Sequence, residues 1–397
     1  MDSKLTIGQF NDSFPPAVDG VANTMINYAR CLHRAEGACY AVVPYYPQAH
    51  YGDYSFPVLH FPSIPVPFRT EYRFSHPRLS MKLINRLMGI DFDILHAHSP
   101  FTSGRIALHL GRKRNIPVVA TFHTKYRDDI MAVVKSDSIA DRVIDHIVDF
   151  YHQCDSVWVV NEATGKTLEG YGYKKDYLIA PNGCDFAAGG CTDDVREHID
   201  RTYHLAPGQR LILYVGQHTF QKNTDLILRS VRELKNYGRD FRMMFVGDGP
   251  QKGRLEDMAR RLGLAEDVVF AGSIYDRHLL NCIYKRADLF IFPSLYDNAP
   301  LVVREAAAGH TPSLLIADSN AAEGIVDDEN GFLVSRPDEG EIGRRIHELF
   351  RDEGRLREAG KRAGETICIP WESVVGEARE RYRDIIDTYS HRRRRAV

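Results

Sequence analysis

Short β-favouring apolar runs alternate along the chain with longer segments whose apolar positions recur at helical spacing. In the first half the predicted strands are Leu5 to Phe10, Ala41 to Tyr45, Val58 to Phe61, Ile94 to His98, Val118 to His123, Val157 to Asn161 and Leu178 to Ala180. Amphipathic segments such as Gly20 to Arg34, Ser103 to Lys113 and Ala140 to Gln153 lie between several of them. This alternation predicts a mostly parallel sheet covered on both faces, with ligands gathering at the carboxyl ends of the strands. The text turns small and polar from Ala187 to Asp194, where a linker is expected. A second alternating series follows, with strands Leu211 to Val215, Met243 to Val246, Val268 to Ala271, Leu289 to Phe292, Leu314 to Ala317 and Phe332 to Val334, and a last helical pattern from Trp371 to Tyr389.

The length, 397 residues, exceeds what one ordinary core supports and agrees with two α/β domains. Hydrophobic residues make up 44% and charged residues 26%, as in soluble globular proteins. Lys plus Arg number 51 against 53 Asp plus Glu, so nothing in the overall charge points to nucleic acid. The seven cysteines are scattered, with no C-x-x-C pair, which argues against a zinc site or disulfide framework and fits a reducing cytosol. No apolar stretch approaches the ~20 residues of a membrane span. The amino terminus runs straight into a strand pattern rather than a signal peptide.

The stretch richest in chemistry is Phe292 to Gly309, FPSLYDNAPLVVREAAAG. It reads as a strand end, a polar loop and a helix, with Pro300 expected in the first helical turn and Gly309 at a left-handed position just past the last. Asp297 lies in the loop and Glu305 in the helix, with seven residues between them. Unpaired N–H groups of the first turn attract an anion, so acceptors for sugar hydroxyls stand beside donors for phosphate. A nucleotide sugar is the implied ligand.

This segment resembles the E-x7-E signature of the retaining GT-B glycosyltransferases of family four, and Ser319 to Val334 resembles the family's next motif. Asp297-Asn298-Ala299-Pro300 replaces the usual Glu-Gly-Phe-Gly. The resemblance implies two facing Rossmann-like doubly wound domains with a cleft between them. Residues 1–190, completed by a C-terminal crossover helix at 371–397, would form the acceptor side, and residues 195–370 the nucleotide-sugar side. It places Asp297 on the sugar hydroxyls, Glu305 on the ribose, and Asn298, Ala299, Pro300, Leu301 and Val302 around the donor. In YVGQHTFQKN, Gly216 and Lys222 match the family's G-R-L-x-x-x-K pattern with Gln217 in place of arginine, leaving Lys222 to neutralise the leaving diphosphate. FVGDGP and FAGSIY resemble the family segments that border the nucleotide, which would place Gly247 and Ile274 there, and Glu323 falls where the family has another acidic residue. Asp19-Gly20, where the family has Gly-Gly, opens a helix toward the diphosphate and acceptor. His123 would lie beside the transferred sugar, with Lys125 and Tyr126 on the acceptor side. His96 and His98 read as structural.

Other motifs are weaker. Gly247-Asp248-Gly249 is followed by Gly253 at the wrong spacing for a dinucleotide fingerprint, and no P-loop pattern occurs. Asp91-Phe92-Asp93 has D-x-D spacing but precedes a buried strand, so no metal and no cofactor beyond the nucleotide sugar is expected. Arg78, Lys82 and Arg86, preceded by Arg69 and Arg73, edge a short leucine-bearing helix, and Arg392 to Arg395 form a basic tail. Both could meet an anionic membrane, although a packed helix with a solvated edge is the commoner reading. The expected activity is transfer of a hexose from a UDP-sugar, favoured over GDP-mannose, to a membrane lipid or glycolipid. A soluble glycan or small-molecule acceptor, a non-catalytic nucleotide-sugar-binding protein, a phosphorylase and an epimerase are the alternatives.

Overall fold

The structure is a computed structural model that describes residues 4–17, 19–66, 69–75, 81–184 and 190–394. It consists of two units: Met1–Asn182 together with Trp371–Val397, and Gly183–Pro370. The polar stretch expected as linker overlaps residues 185–189, which lie outside the described residues, and the helix Asp193–Thr202 already belongs to the second unit.

In unit 1 the strands are β1 (Thr6–Phe10), β2 (Ala38–Pro44), β3 (Val58–Phe61), β4 (Ile64–Val66), β5 (Arg69–Phe74), β6 (Ile94–Ala97), β7 (Val118–Phe122), β8 (Ser156–Val159) and β9 (Leu178–Ile179). Among the described residues, seven of them make a parallel sheet in the order β3-β2-β1-β6-β7-β8-β9. The order reverses between β1 and β6, so the crevice that can take a ligand opens beyond Phe10 and Ala97. The antiparallel pair β4 and β5 has no counterpart in the sequence reading. Its strands are short and Pro65 interrupts the first, so no two-residue alternation is long enough to notice.

The helix Trp371–Arg394 is part of unit 1. Trp371 and Tyr382 are buried, Tyr382 stacks on Trp158, and the helix docks through charge as well. Glu36, buried at the end of the helix Gly20–Glu36, takes Arg379 at 3.3 Å and Arg383 at 3.2 Å, and accepts from the Leu5 N–H at 2.9 Å. One buried carboxylate thus ties the last helix to the first strand.

In unit 2 the strands are β10 (Arg210–Val215), β11 (Phe241–Val246), β12 (Val268–Gly272), β13 (Leu289–Ile291), β14 (Ser313–Ile316) and β15 (Phe332–Val334), all parallel, in the order β12-β11-β10-β13-β14-β15. Here the order reverses between β10 and β13. The segments leaving those two strands carry Lys222 and Asp297 respectively, so the topology itself brings them to one crevice.

The helix after β13 runs Leu301–Ala308, one residue later than expected. Pro300 is its N-cap, at φ −65 and ψ 128. Gly309 is right-handed at φ −76, and His310 takes the left-handed turn at φ +58. Gly309 is needed for space instead, because a Cβ there would come within 2.9 Å of the Tyr284 Cβ. The basic helix is Met81–Met88: Leu83, Ile84 and Leu87 are buried in the unit 1 core while Lys82 and Arg86 stay in solvent, so its apolar face is already used. Arg78 and Arg395 lie outside the described residues, as do the side chains of Arg69 and of Arg392 to Arg394. Among the described residues no helix is long and apolar enough to cross a membrane.

Candidate functional site

The unit 2 site grows from the carboxyl ends of β10 and β13. Lys222 closes a 3-10 turn, Phe220–Lys222, and its Nζ lies 2.5 Å from Asp297 Oδ1 and 5.8 Å from the rings of both Phe292 and Tyr296. The two side chains are 17% and 16% exposed, so the pair is mostly sheltered but reachable. The second carboxylate oxygen, Asp297 Oδ2, is buried and has no hydrogen-bond partner among the described residues. An acceptor out of water without a donor costs about 1–3 kcal/mol. A hydroxyl brought by a ligand removes that penalty.

Beyond Asp297 the loop is held in place. Asn298 is buried and accepts from Asn320 at 3.0 Å, while Asn223 donates to the Pro293 carbonyl at 3.0 Å. Ala299, Leu301 and Val302 are half-buried along the start of the helix. No side chain caps that helix, and the Val303 N–H donates to the Pro300 carbonyl at 3.3 Å, so the Leu301 and Val302 amides carry its positive end.

Glu305, only 7% exposed, accepts from Arg277 at 2.7 Å on Oε1 and from the Tyr284 hydroxyl at 3.0 Å on Oε2. Each oxygen keeps a second lone pair for a further donor. Burial first, and then the Glu305 charge, push the Tyr284 hydroxyl well above its usual range, which keeps it a donor. Neither Arg277 nor Tyr284 was foreseen. They precede Glu305 by 28 and 21 residues on another helix, and no local pattern marks them.

Glycines form the floor between β10 and β11. Gly247 has φ +126, and a Cβ on it would come within 2.1 Å of the Gly216 carbonyl oxygen. Gln217 is half-buried beside them, with its carbonyl accepting from Tyr214 at 2.9 Å. Ile274, just past β12, packs on the unit 2 core, and Glu323 is exposed. His218, fully buried against Phe245 and Phe270, has both ring nitrogens without partners among the described residues. Burial holds it below its usual range, so it is a neutral ring.

The unit 1 residues cluster beyond β1, β6 and β7. Asp19 is the N-cap of the helix Gly20–Glu36: Oδ1 accepts from Val21 at 3.1 Å and Oδ2 from the Ser13 hydroxyl. Burial raises its pKa against these hydrogen bonds. At Gly20 the space a Cβ would fill has, among the described residues, no atom within 4 Å apart from its chain neighbours and its own helix backbone. Lys125 is half-buried ahead of the helix Tyr126–Val134. Tyr126 itself is 7% exposed and packs edge-on against Phe101 and Phe122, so its ring serves the core rather than an open acceptor face. Of the D-x-D pair, Asp91 meets Arg114 at 2.6 Å and Asp93 accepts from Thr6 at 2.7 Å, both structural roles.

His123, half-buried, ends a relay of buried groups. Gln9 Nε2 donates to the Tyr382 hydroxyl at 3.3 Å, so its Oε1 accepts from His98 Nε2 at 2.7 Å. Neutral His98 then offers Nδ1 to His123 Nε2–H at 3.1 Å, which leaves His123 Nδ1 as the lone-pair nitrogen. His96 sits alongside, bonded to Tyr382 at 2.5 Å and Thr121 at 2.7 Å. Burial lowers His96 and His98 well below the usual range and takes His123 to about 3. The unfolded chain binds these protons from about pH 6.5 downward while the folded unit refuses them, so acid favours unfolding. The expected result is a unit 1 unfolding midpoint that is flat above pH 7 and falls as pH drops from 6.5 toward 3. His98→Asn makes that fall shallower in a pH series of thermal melts.

Residues 195–366 match the family model described as glycosyl transferases group 1, and residues 18–188 match glycosyltransferase family 4. The chain is 25% identical over 321 residues to alpha-monoglucosyldiacylglycerol synthase of Streptococcus pneumoniae, covering 80% of this chain and 71% of that protein. It is 21% identical to the enzyme of the same name from Acholeplasma laidlawii, over 84% and 86% of the two chains. Anabaena HepE in complex with UDP superposes with a TM-score of 0.78 at 15% identity, over 96% of this chain and all of that one. Its complex with UDP-glucose gives 0.74 at 16%, over 97% and 99%. At that identity the likeness establishes the fold, which is GT-B.

Proposed function

The chain is a glycosyltransferase of family four, with the GT-B fold, and from that premise we propose that it transfers a hexose from UDP-sugar to a lipid hydroxyl with retention of configuration. The observation that carries the donor half is the Lys222–Asp297 pair at the unit 2 switch point, with Asp297 Oδ2 lacking a donor. In this reading a sugar hydroxyl donates to Asp297 Oδ2, and the ribose hydroxyls donate to Glu305. The diphosphate lies on the amides that open the helix Leu301–Ala308. As the glycosidic bond breaks, charge grows on the leaving phosphate and Lys222 neutralises it. Lys222 and the helix amides supply the charge for which other transferases use a divalent ion, so EDTA is expected to leave turnover unchanged.

Retention follows in this proposal from the leaving phosphate taking the acceptor proton on the face the acceptor attacks. The UDP choice is supported by HepE, solved with UDP and with UDP-glucose. The lipid choice is supported by the two relatives named for monoglucosyldiacylglycerol synthesis. It also agrees with the basic end of the chain, and it implies peripheral binding at an anionic membrane surface. The experiment is incubation with UDP-glucose and vesicles of diacylglycerol or monoglucosyldiacylglycerol in anionic lipid, with the product anomer read by NMR. An α-linked glycolipid is the expected product. A β-linked product contradicts retention, and transfer to soluble acceptors alone contradicts the lipid.

A further inference from the structure

The chain passes between its units twice, after Asn182 and after Pro370. A cysteine stands just inside unit 2 at each passage: Cys184 is the unit's second residue and Cys368 its third from last. The two segments run side by side, with a parallel bridge between Cys184 and Pro370 and the Cys184 N–H donating to the Ile369 carbonyl at 2.8 Å. The thiols are hydrogen-bonded to each other. Cys184 is 5% exposed, whereas Cys368 is half-buried and reachable from solvent.

Arg304, beside Glu305 on the helix Leu301–Ala308, donates to the Ile367 carbonyl at 2.9 Å and places its guanidinium near both sulfurs. The Cys184 hydrogen bond, and then the Arg304 charge, lower the Cys368 thiol and favour its thiolate. A second thiol pair, Cys191 with Cys282, differs in the property that matters. Burial first, and then the Cys191 contact, raise the Cys282 thiol, the opposite direction to Cys368.

We propose that Cys184 and Cys368 are a reversible thiol–disulfide modification site, in which Cys368 is oxidised first by a peroxide and Cys184 resolves it. The Cys368 thiolate attacks one peroxide oxygen, the O–O bond breaks, and hydroxide leaves with the other oxygen, giving a sulfenic acid. Cys184 then attacks the Cys368 sulfur, its proton and the sulfenic oxygen leave as water, and the S–S bond forms. Overall, two thiols and hydrogen peroxide give one disulfide and two waters; a dithiol reverses it. The bond joins the entry and exit segments of unit 2 into one closed loop, which restricts the unfolded chain and strengthens the folded unit. It also removes the thiolate facing Arg304, the immediate neighbour of Glu305.

The test uses the full chain, treated with hydrogen peroxide at neutral pH, alkylated, digested without reductant and read by mass spectrometry. The expected result is a linked peptide pair containing Cys184 and Cys368 that separates with dithiothreitol, with Cys191 and Cys282 recovered alkylated. The unit 2 unfolding midpoint rises in the oxidised sample and returns on reduction. In Cys184→Ser, Cys368 is trapped by dimedone as a sulfenic acid. The proposal is overturned if Cys368 remains alkylatable, if the wild type carries its oxidation on to sulfinic acid without a link, or if Cys191 and Cys282 are the pair that joins.

Discussion

Lys222→Ala is expected to lower kcat/KM for sugar transfer by about two to three orders of magnitude, the cost of removing one preorganised charge from a transition state in which negative charge develops. Lys222 is the cation that meets the loop after β13, 2.5 Å from Asp297 Oδ1 and part-sheltered by Phe292 and Tyr296. Its loss also leaves a mostly buried Asp297 without its counter-ion, so some stability goes with the activity. Lys222→Arg separates the two effects. It keeps the ion pair, but a flat guanidinium does not reproduce a compact ammonium, so stability recovers further than turnover. Steady-state kinetics on the purified variants, with urea melts alongside, give both numbers. Wild-type kcat/KM in Lys222→Ala would remove Lys222 from the reaction.

Gly247→Ala is the second large effect, and it acts through the backbone. At φ +126 an L side chain is strained, and its Cβ would fall 2.1 Å from the Gly216 carbonyl oxygen, a main-chain atom that cannot swing away. Conformational strain of this kind costs up to about 3 kcal/mol. For a unit of this size that lowers its unfolding midpoint by roughly 6–12 °C. Because Gly216 and Gly247 directly follow the ends of β10 and β11, any relaxation widens the floor on which the donor is proposed to lie. A calorimetric melt of Gly247→Ala unchanged from wild type would mean that the two strand ends do not approach so closely.

Much of this architecture was legible because the parallel strands are buried on both faces and stand out as short apolar runs. β10, β11 and β13 were read within two residues of their ends. Lys222 and Asp297, 75 residues apart, were joined by family spacing, and the sheet order supplies the physical reason: they leave the two strands that flank the reversal. What the chain concealed depended on contacts between distant segments. Gly309 looked like a left-handed helix stop, yet it is glycine for the sake of Tyr284, and His310 takes the turn. Arg277 and Tyr284 carry no motif of their own and matter only because their helix lies against Glu305. Tyr126, read as facing the acceptor, fills an aromatic core that no local pattern reveals. The relay through Gln9, His98 and His123 is built from three strands and the last helix, so only the folded unit shows it.

The most direct test of the central claim, that unit 2 seats UDP with its ribose on Glu305, is a calorimetric titration of UDP into the wild-type chain and into Glu305→Ala. Hydrogen bonds to a charged acceptor are worth about 1.5–3 kcal/mol, or roughly a 10- to 100-fold change in affinity. The account predicts one UDP per chain for the wild type and binding weaker by that factor for the variant. Equal affinity in the two, or no UDP bound by the wild type, would contradict it.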